Sequence, residues 1–112
     1  MTNIENYKLL IKVLKDDLRL YLNGNIQFSS KDEYRYHEAL VHIPMGAVKN
    51  HENVLILGGG DGLAVRELLK YDDVKNITLV DIDKDMVNLC RTNPLVTEIN
   101  KNSLSSEKVN LV

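Results

Sequence analysis

The chain has 112 residues, 44% of them apolar and 27% charged, an ordinary balance for one small globular domain or part of a larger one. Its net charge of −2 gives no basic footprint for nucleic acid, and no apolar run approaches the about 20 residues of a membrane helix. The N-terminus has no signal-peptide pattern, and the single Cys90 cannot close an internal disulfide, so a reducing, cytoplasmic setting is expected.

In chain order, the run "YKLLIKVL" leans towards strand through its β-branched Ile11 and Val13. Leu18, Leu20 and Leu22 then alternate with Arg19 and Tyr21, the period of a half-buried strand. Asn23-Gly24 is the favoured type I′ hairpin dipeptide, and Ile26 to Phe28 form the returning strand. Residues 7–28 therefore predict a small antiparallel sheet, with Asp16-Asp17 as a solvated turn before its second strand. Ser29, Ser30 and Asp32 are candidate N-caps for a helix that Pro44 should end near Ile43.

"NVLIL" is a short continuous apolar run, as in a parallel strand buried on both faces. A glycine-rich turn and a helix to about Tyr71 follow, then the strand "NITLVDI" and the helix "KDMVNLCRTN", stopped by Pro94. On that helix Cys90 reads as a small buried apolar residue. Residues 95–107 are polar and irregular with one short helix, and "KVNLV" opens a last strand.

The order is that of an α/β chain: an N-terminal β-hairpin region over residues 1–30, then a Rossmann-like parallel sheet with right-handed crossovers over 31–112. The third parallel strand has no covering helix after it. The expectation is the first half of a longer nucleoside-binding domain, truncated at its C-terminus, whose bare apolar surface drives a homo-oligomer.

The turn "GGGDG" decides between ligands. A dinucleotide fingerprint starting at Gly58 finds Gly60 in place but Leu63 in its last glycine slot, and no Gly-Lys-Ser/Thr follows for a P-loop. Helix N-termini attract anions, yet Asp61 already puts a negative charge there, which repels a pyrophosphate. Asp81 ends the next strand, 20 residues on, where an acidic side chain of an open parallel sheet holds a ribose diol. Two carboxylates so placed suit a phosphate-free, cationic nucleoside, and S-adenosyl compounds are the obvious class. The plainer alternatives are a tight strand-to-helix turn with Asp61 as a simple N-cap.

Other signals carry less. His37 and His42 are five residues apart, which turns them to different sides of a helix, so no metal site is expected. "DIDKDMVNLCRT" has Met86 and Thr92 where a calcium loop needs Gly and Glu. His51 reads as solvated in a surface loop, and no Gly-x-Ser-x-Gly is present.

Taken together, "GGGDG", "RELLKY" and "LVDID", with the earlier "LNGNIQFSSKDEYRYHEALVHIP", resemble the polyamine aminopropyltransferases, the spermidine synthases. The likeness runs from about Asn6 to the end and is nearest a bacterial branch whose full-length members carry N-terminal membrane helices. It implies a methyltransferase-type Rossmann fold and transfer of an aminopropyl group from decarboxylated S-adenosylmethionine to putrescine, giving spermidine and methylthioadenosine, with no other cofactor. It implies that Asp61 binds the amino end of the aminopropyl donor and that Asp81, where the family more often has Glu, holds the ribose hydroxyls. His37 would lie beside the aminopropyl chain and Tyr36 would line the putrescine channel. Gly58, Gly59 and Gly60 would let the backbone approach the nucleoside, and Gln27 is the hairpin glutamine.

Two departures matter. Asn6-Tyr7 stands where the family usually has Tyr-Gln, and the family's catalytic carboxylate lies on a later strand-end loop. No catalytic residue is therefore assigned within the chain, which alone should be inactive because an ammonium must lose its proton before it attacks. A methyltransferase would share the glycine loop and acidic strand end but would not need the hairpin and "DEYRYHE". A non-catalytic interaction or dimerisation module is the third reading.

Overall fold

The computed structural model describes residues 9–112; Asn6-Tyr7 and the first two residues of "YKLLIKVL" lie outside them. These residues cluster into two compact units that divide between Tyr36 and His37.

The first unit is built on three antiparallel strands in the order β1 (Leu9–Leu14), β2 (Asp17–Leu22) and β3 (Asn25–Ser29). The alternation in β2 buries Leu18 and Leu20, and Phe28 faces Leu20 across the ladder on the same side. Asn23 and Gly24 both adopt left-handed backbone, with φ of 51° and 82°, as a type I′ turn requires. Between the pairs Leu20–Phe28 and Tyr21–Ile26 the register slips by one residue. Gln27 is therefore a bulge residue, and its side-chain amide donates to the Asn25 carbonyl at 3.2 Å.

Asp17 is not a solvated turn. Its carboxylate accepts from the Ser29 hydroxyl at 2.7 Å, from Arg19 at 2.8 Å and from the Ser30 hydroxyl and Lys31 N–H at 3.2 Å each. The Ser29 hydroxyl above all, then Arg19, holds this carboxyl well below the usual carboxylate range. Ser29 and Ser30 are thus spent on the hairpin, the Ser30 hydroxyl also accepting from the Leu18 N–H at 2.8 Å, rather than on capping the helix that follows.

That helix, α1, runs Glu33–Ala47 and passes through Pro44; it does not stop at Ile43. The proline removes a donor only to the Leu40 carbonyl, in the helix's final turn, and Leu40 is exposed so that water can replace the bond. Every fourth residue, Glu33, His37, Val41 and Met45, is buried.

In the second unit, β4 (Asn53–Leu57), β5 (Asn76–Val80) and β6 (Val109–Leu111) form a parallel sheet in that order. Helix α2 (Leu63–Leu68) is buried along its whole length, and i→i+3 bonds from Lys70 and Tyr71 tighten the chain beyond it. Helix α3 (Lys84–Thr92) is capped by the Asp83 carboxylate on the Met86 N–H. Pro94 ends α3 by starting α4 (Pro94–Asn100) at its first position, with Asn93 as cap. A 3-10 turn at Ser103–Ser105 leads into β6, so the segment 95–107 holds the expected short helix, α4, and a 3-10 turn besides. Among the described residues no helix is long and apolar enough to cross a membrane.

A polar cluster joins the end of α1 to the end of α2. The buried Glu67 carboxylate accepts from Lys70 at 2.7 Å, His42 Nε2 at 2.8 Å and Arg66 at 2.9 Å. Burial alone would push this carboxyl up, but the bonds from Lys70, His42 and Arg66 outweigh it and hold it at about 2. His42 Nδ1 meets the Tyr71 hydroxyl at 2.6 Å, a group able to donate as well as accept.

His51 differs, and it is not solvated. Its ring is 15% exposed and packs edge-on against Tyr71. Nε2 faces the carbonyls of Met45 and Val48 at 2.6 and 3.0 Å, and Nδ1 faces the Asp73 carboxylate at 3.0 Å. Both nitrogens thus meet acceptors only, and only the imidazolium serves both. The Met45 carbonyl above all, with Asp73, raises this group's pKa. A raised folded value stabilises the fold below the unfolded pKa and is lost as pH rises through the folded one. Thermal melts should therefore show the midpoint falling as pH rises above about 6.5, the ordinary imidazole value. In His51→Gln that slope should flatten, and an unchanged slope would assign it to other groups.

Candidate functional site

The glycine loop leaves the C-terminal end of β4 and enters α2. Gly58, Gly59 and Gly62 have φ of 87°, 74° and 80°, which side-chain-bearing residues seldom adopt. Gly60 has ordinary φ but no room: a Cβ there would lie 2.6 Å from Asp81 Oδ2 and 2.8 Å from Val87.

That contact is the centre of the site. Asp81, directly after β5, accepts the Gly60 N–H on Oδ2 at 2.9 Å and the Asp83 N–H on Oδ1 at 2.8 Å. Each carboxylate oxygen has two acceptor positions, so both keep capacity for a ligand hydroxyl. Asp61 Oδ1 accepts the Leu63 N–H at 3.0 Å, which sets this carboxylate at the opening of α2. Gly62, not Asp61, is the N-cap of α2; the Asp61 carboxylate stands one residue ahead of it, and its charge stays in the loop. Asp61, Asp81 and Asp83 make the region electronegative. Their charges, after burial as the larger cause, push the enclosed Cys90 thiol up to about 12, leaving it inert at neutral pH.

Beside Asp81 lies a hollow of about 280 Å³ lined by Leu79, Asp81, Lys84, Val87, Asn88, Arg91, Leu111 and Val112. Loop, acidic strand end and hollow all sit at the C-terminal edge of the parallel sheet, where open α/β sheets bind ligands.

The remaining candidates are placed less centrally. His37 is buried on α1 at 7% exposure and Tyr36 is 65% exposed. Gln27 is exposed on β3 and bonded within its own strand. Gln27 and Tyr36 belong to the first unit, Gly58 to Asp61, Asp81 and His37 to the second.

Residues that the sequence reading passed over hold the loop in shape. The fully buried Asn100 side chain donates to the Asp61 and Cys90 carbonyls, both at 2.9 Å. The Ser103 hydroxyl donates to the Gly62 carbonyl at 2.6 Å. Gly62 itself has no space for a side chain, since a Cβ would stand 2.7 Å from Ser103 Oγ and 2.9 Å from Asn100 Nδ2. The fifth residue of "GGGDG" was the one visible signal. Nothing in the polar run 95–107 marked Asn100 or Ser103.

Asn100→Ala strands two buried carbonyls and should cost about 1–3 kcal/mol in denaturant unfolding. Gly62→Ala, strained in φ as well as crowded, should cost at least about 1–2 kcal/mol. Melts within error of the parent would show that the loop does not depend on this clamp.

Comparison with known proteins places the chain in a family. A family model described as the spermine/spermidine synthase domain matches residues 33–112. A polyamine aminopropyltransferase of Oceanobacillus iheyensis is 55% identical over 102 residues, 91% of this chain and 20% of that protein. Polyamine aminopropyltransferase 2 of Bacillus cereus is 50% identical over 95% of this chain and 29% of its own. The chain thus spans well under a third of the curated relatives it matches. Among solved structures, a spermidine synthase in complex with the transition-state analogue AdoDATO superposes with a TM-score of 0.87 at 30% identity, covering 96% of this chain and 36% of that one. The synthase of Thermotoga maritima gives 0.86 at 31%. With a family match over more than half its length and the glycine loop and acidic strand end in place, the chain belongs to the spermine/spermidine synthase family.

Proposed function

We propose that this chain supplies the donor half of an aminopropyltransferase site, binding decarboxylated S-adenosylmethionine for transfer of its aminopropyl group to putrescine. The observation that carries this is the Asp81 carboxylate fastened to the Gly60 N–H beside a second carboxylate, Asp61. Asp81 offers its remaining lone pairs to the ribose hydroxyls, and Gly60 brings the backbone close to the nucleoside. The adjoining hollow has room for a heterocyclic base. Asp61 attracts the terminal ammonium of the aminopropyl chain, and the cluster's charge favours a sulfonium and a polyamine over any phosphate.

The reaction is a displacement. The acceptor's amine lone pair attacks the methylene bound to sulfur, the C–S pair returns to sulfur, and methylthioadenosine leaves neutral. The secondary ammonium that forms keeps the positive charge that sulfur gives up, and the proton released is the one the acceptor amine loses to a base before it attacks. His37 on α1 is assigned to the aminopropyl chain and Tyr36 to the acceptor channel, with Gln27 keeping the hairpin bulged. In the longer protein the domain would work in the cytoplasm as a homo-oligomer, with membrane helices preceding it as in the branch it resembles.

Calorimetry separates the two carboxylates. Asp61→Asn keeps an acceptor for Leu63 but removes the charge. It should weaken the cationic decarboxylated S-adenosylmethionine about tenfold more than neutral methylthioadenosine, a difference near 1.4 kcal/mol. Asp81→Asn should weaken both alike. Equal effects of Asp61→Asn on the two ligands would refute its role, and absence of binding by the folded parent chain would refute the donor-site reading.

A further inference from the structure

Arg66 lies on α2 but acts on α4. Its side chain is 9% exposed, and its guanidinium is divided between two partners. Nε donates to Glu67 Oε2 at 2.9 Å and Nη1 to the Ile99 carbonyl at 3.2 Å. Ile99 is next to last in α4, which ends at Asn100, and the carbonyls of a helix's last turn have no donor within the helix. A guanidinium there supplies both the missing donor and a positive charge at the negative end of the helix. Glu67, buried and held ionised by its own partners, is the counter-charge that so enclosed a cation requires.

The residue after Ile99 is the one that grips the glycine loop. Asn100 donates to the Asp61 and Cys90 carbonyls and accepts the Asn102 N–H on Oδ1 at 3.1 Å. Both of its donors and its oxygen are engaged, so its side chain is fixed in one orientation. Asp61 in turn has Oδ1 tied to the Leu63 N–H, so its carboxylate turns with its backbone. A continuous route thus runs from the Arg66 guanidinium through the Ile99 carbonyl and the Asn100 amide to the Asp61 carboxylate. Arg66 does not line the hollow beside Asp81; its reach into the site is through other residues.

We propose that Arg66 is a positioning residue for Asp61, holding the end of α4 so that Asn100 sets the direction of that carboxylate. The planar fork of an arginine reaches acceptors on two helices at once, whereas a lysine ammonium is a point charge on a flexible stem. This deepens the donor-site reading and rests on it only where a ligand is used.

The test compares this chain with Arg66→Lys, which keeps a positive charge opposite Glu67, and with Val74→Ala, a cavity at a fully buried residue outside the route. In nitrogen–proton spectra Arg66→Lys should move the Asn100 side-chain amide and the Leu63 amide from their parent positions, and Val74→Ala should leave both in place while lowering the melting temperature. In calorimetry Arg66→Lys should weaken decarboxylated S-adenosylmethionine about threefold to tenfold more than neutral methylthioadenosine, because a misdirected Asp61 loses the ammonium and not the nucleoside. Unmoved signals in a folded Arg66→Lys would overturn the proposal, as would equal weakening of the two ligands or the same signals moving in Val74→Ala. If the parent binds neither ligand, the donor-site reading falls, and the two signals alone decide whether Arg66 orients Asp61. Arg66→Gln, which should move the same signals, is the second variant if the lysine variant does not fold. Failure of both to fold would assign Arg66 to the fold alone and overturn the proposal.

Discussion

The hydrogen bond from the Gly60 N–H to Asp81 Oδ2 is the constraint on which the site depends. It ties the loop after β4 to the end of β5 and so fixes the distance between the two elements that a nucleoside would bridge. It exists only because residue 60 has no side chain, since a Cβ would occupy the carboxylate's place. The second bond, from Asp83 to the other oxygen, stops the carboxylate from rotating. Asp81 is thereby pre-oriented, and binding would not need to order it.

The loop is held from its other side by a part of the chain with no regular pattern. Asn100 and Ser103 grip the carbonyls of Asp61 and Gly62, and the same Asn100 reaches Cys90 on α3. One buried amide thus links α3, α4 and the opening of α2. Such a link is rigid because each bond it makes would cost desolvation to break.

Charge has two roles in this unit. At the C-terminal edge of the sheet, Asp61, Asp81 and Asp83 produce a negative field that favours cations and silences the nearby thiol. At the end of α1, Glu67 is surrounded by Arg66, Lys70 and His42, and its charge is spent on structure. Burial decides the difference. Glu67 is enclosed and needs full pairing, while the carboxylates of the loop stand partly open to the surface. On the far flank the edge strand β4, "NVLIL", carries no charge at all.

Much was legible in the sequence because it is encoded locally. The alternation in β2, the type I′ dipeptide, the strand–glycine–helix succession and the two acidic positions after consecutive strands are each set by neighbouring residues. The misread positions share a different cause. Asp17 and His51 are polar residues beside turns, for which composition predicts solvent, yet partners 12 and 22 residues away enclose them. Pro44 predicts a helix stop because its neighbours alone cannot show that the lost bond falls in a final turn open to water. Asn100 and Ser103 act on carbonyls 39 and 41 residues back, and no periodicity records that. By itself the sequence determined the order of elements and the residue types able to meet a cationic nucleoside. Only the tertiary structure decided which carboxylate is locked, which is spent on a buried ion cluster and which strand edge is left open, because burial and long-range hydrogen bonds arise only once the chain has folded.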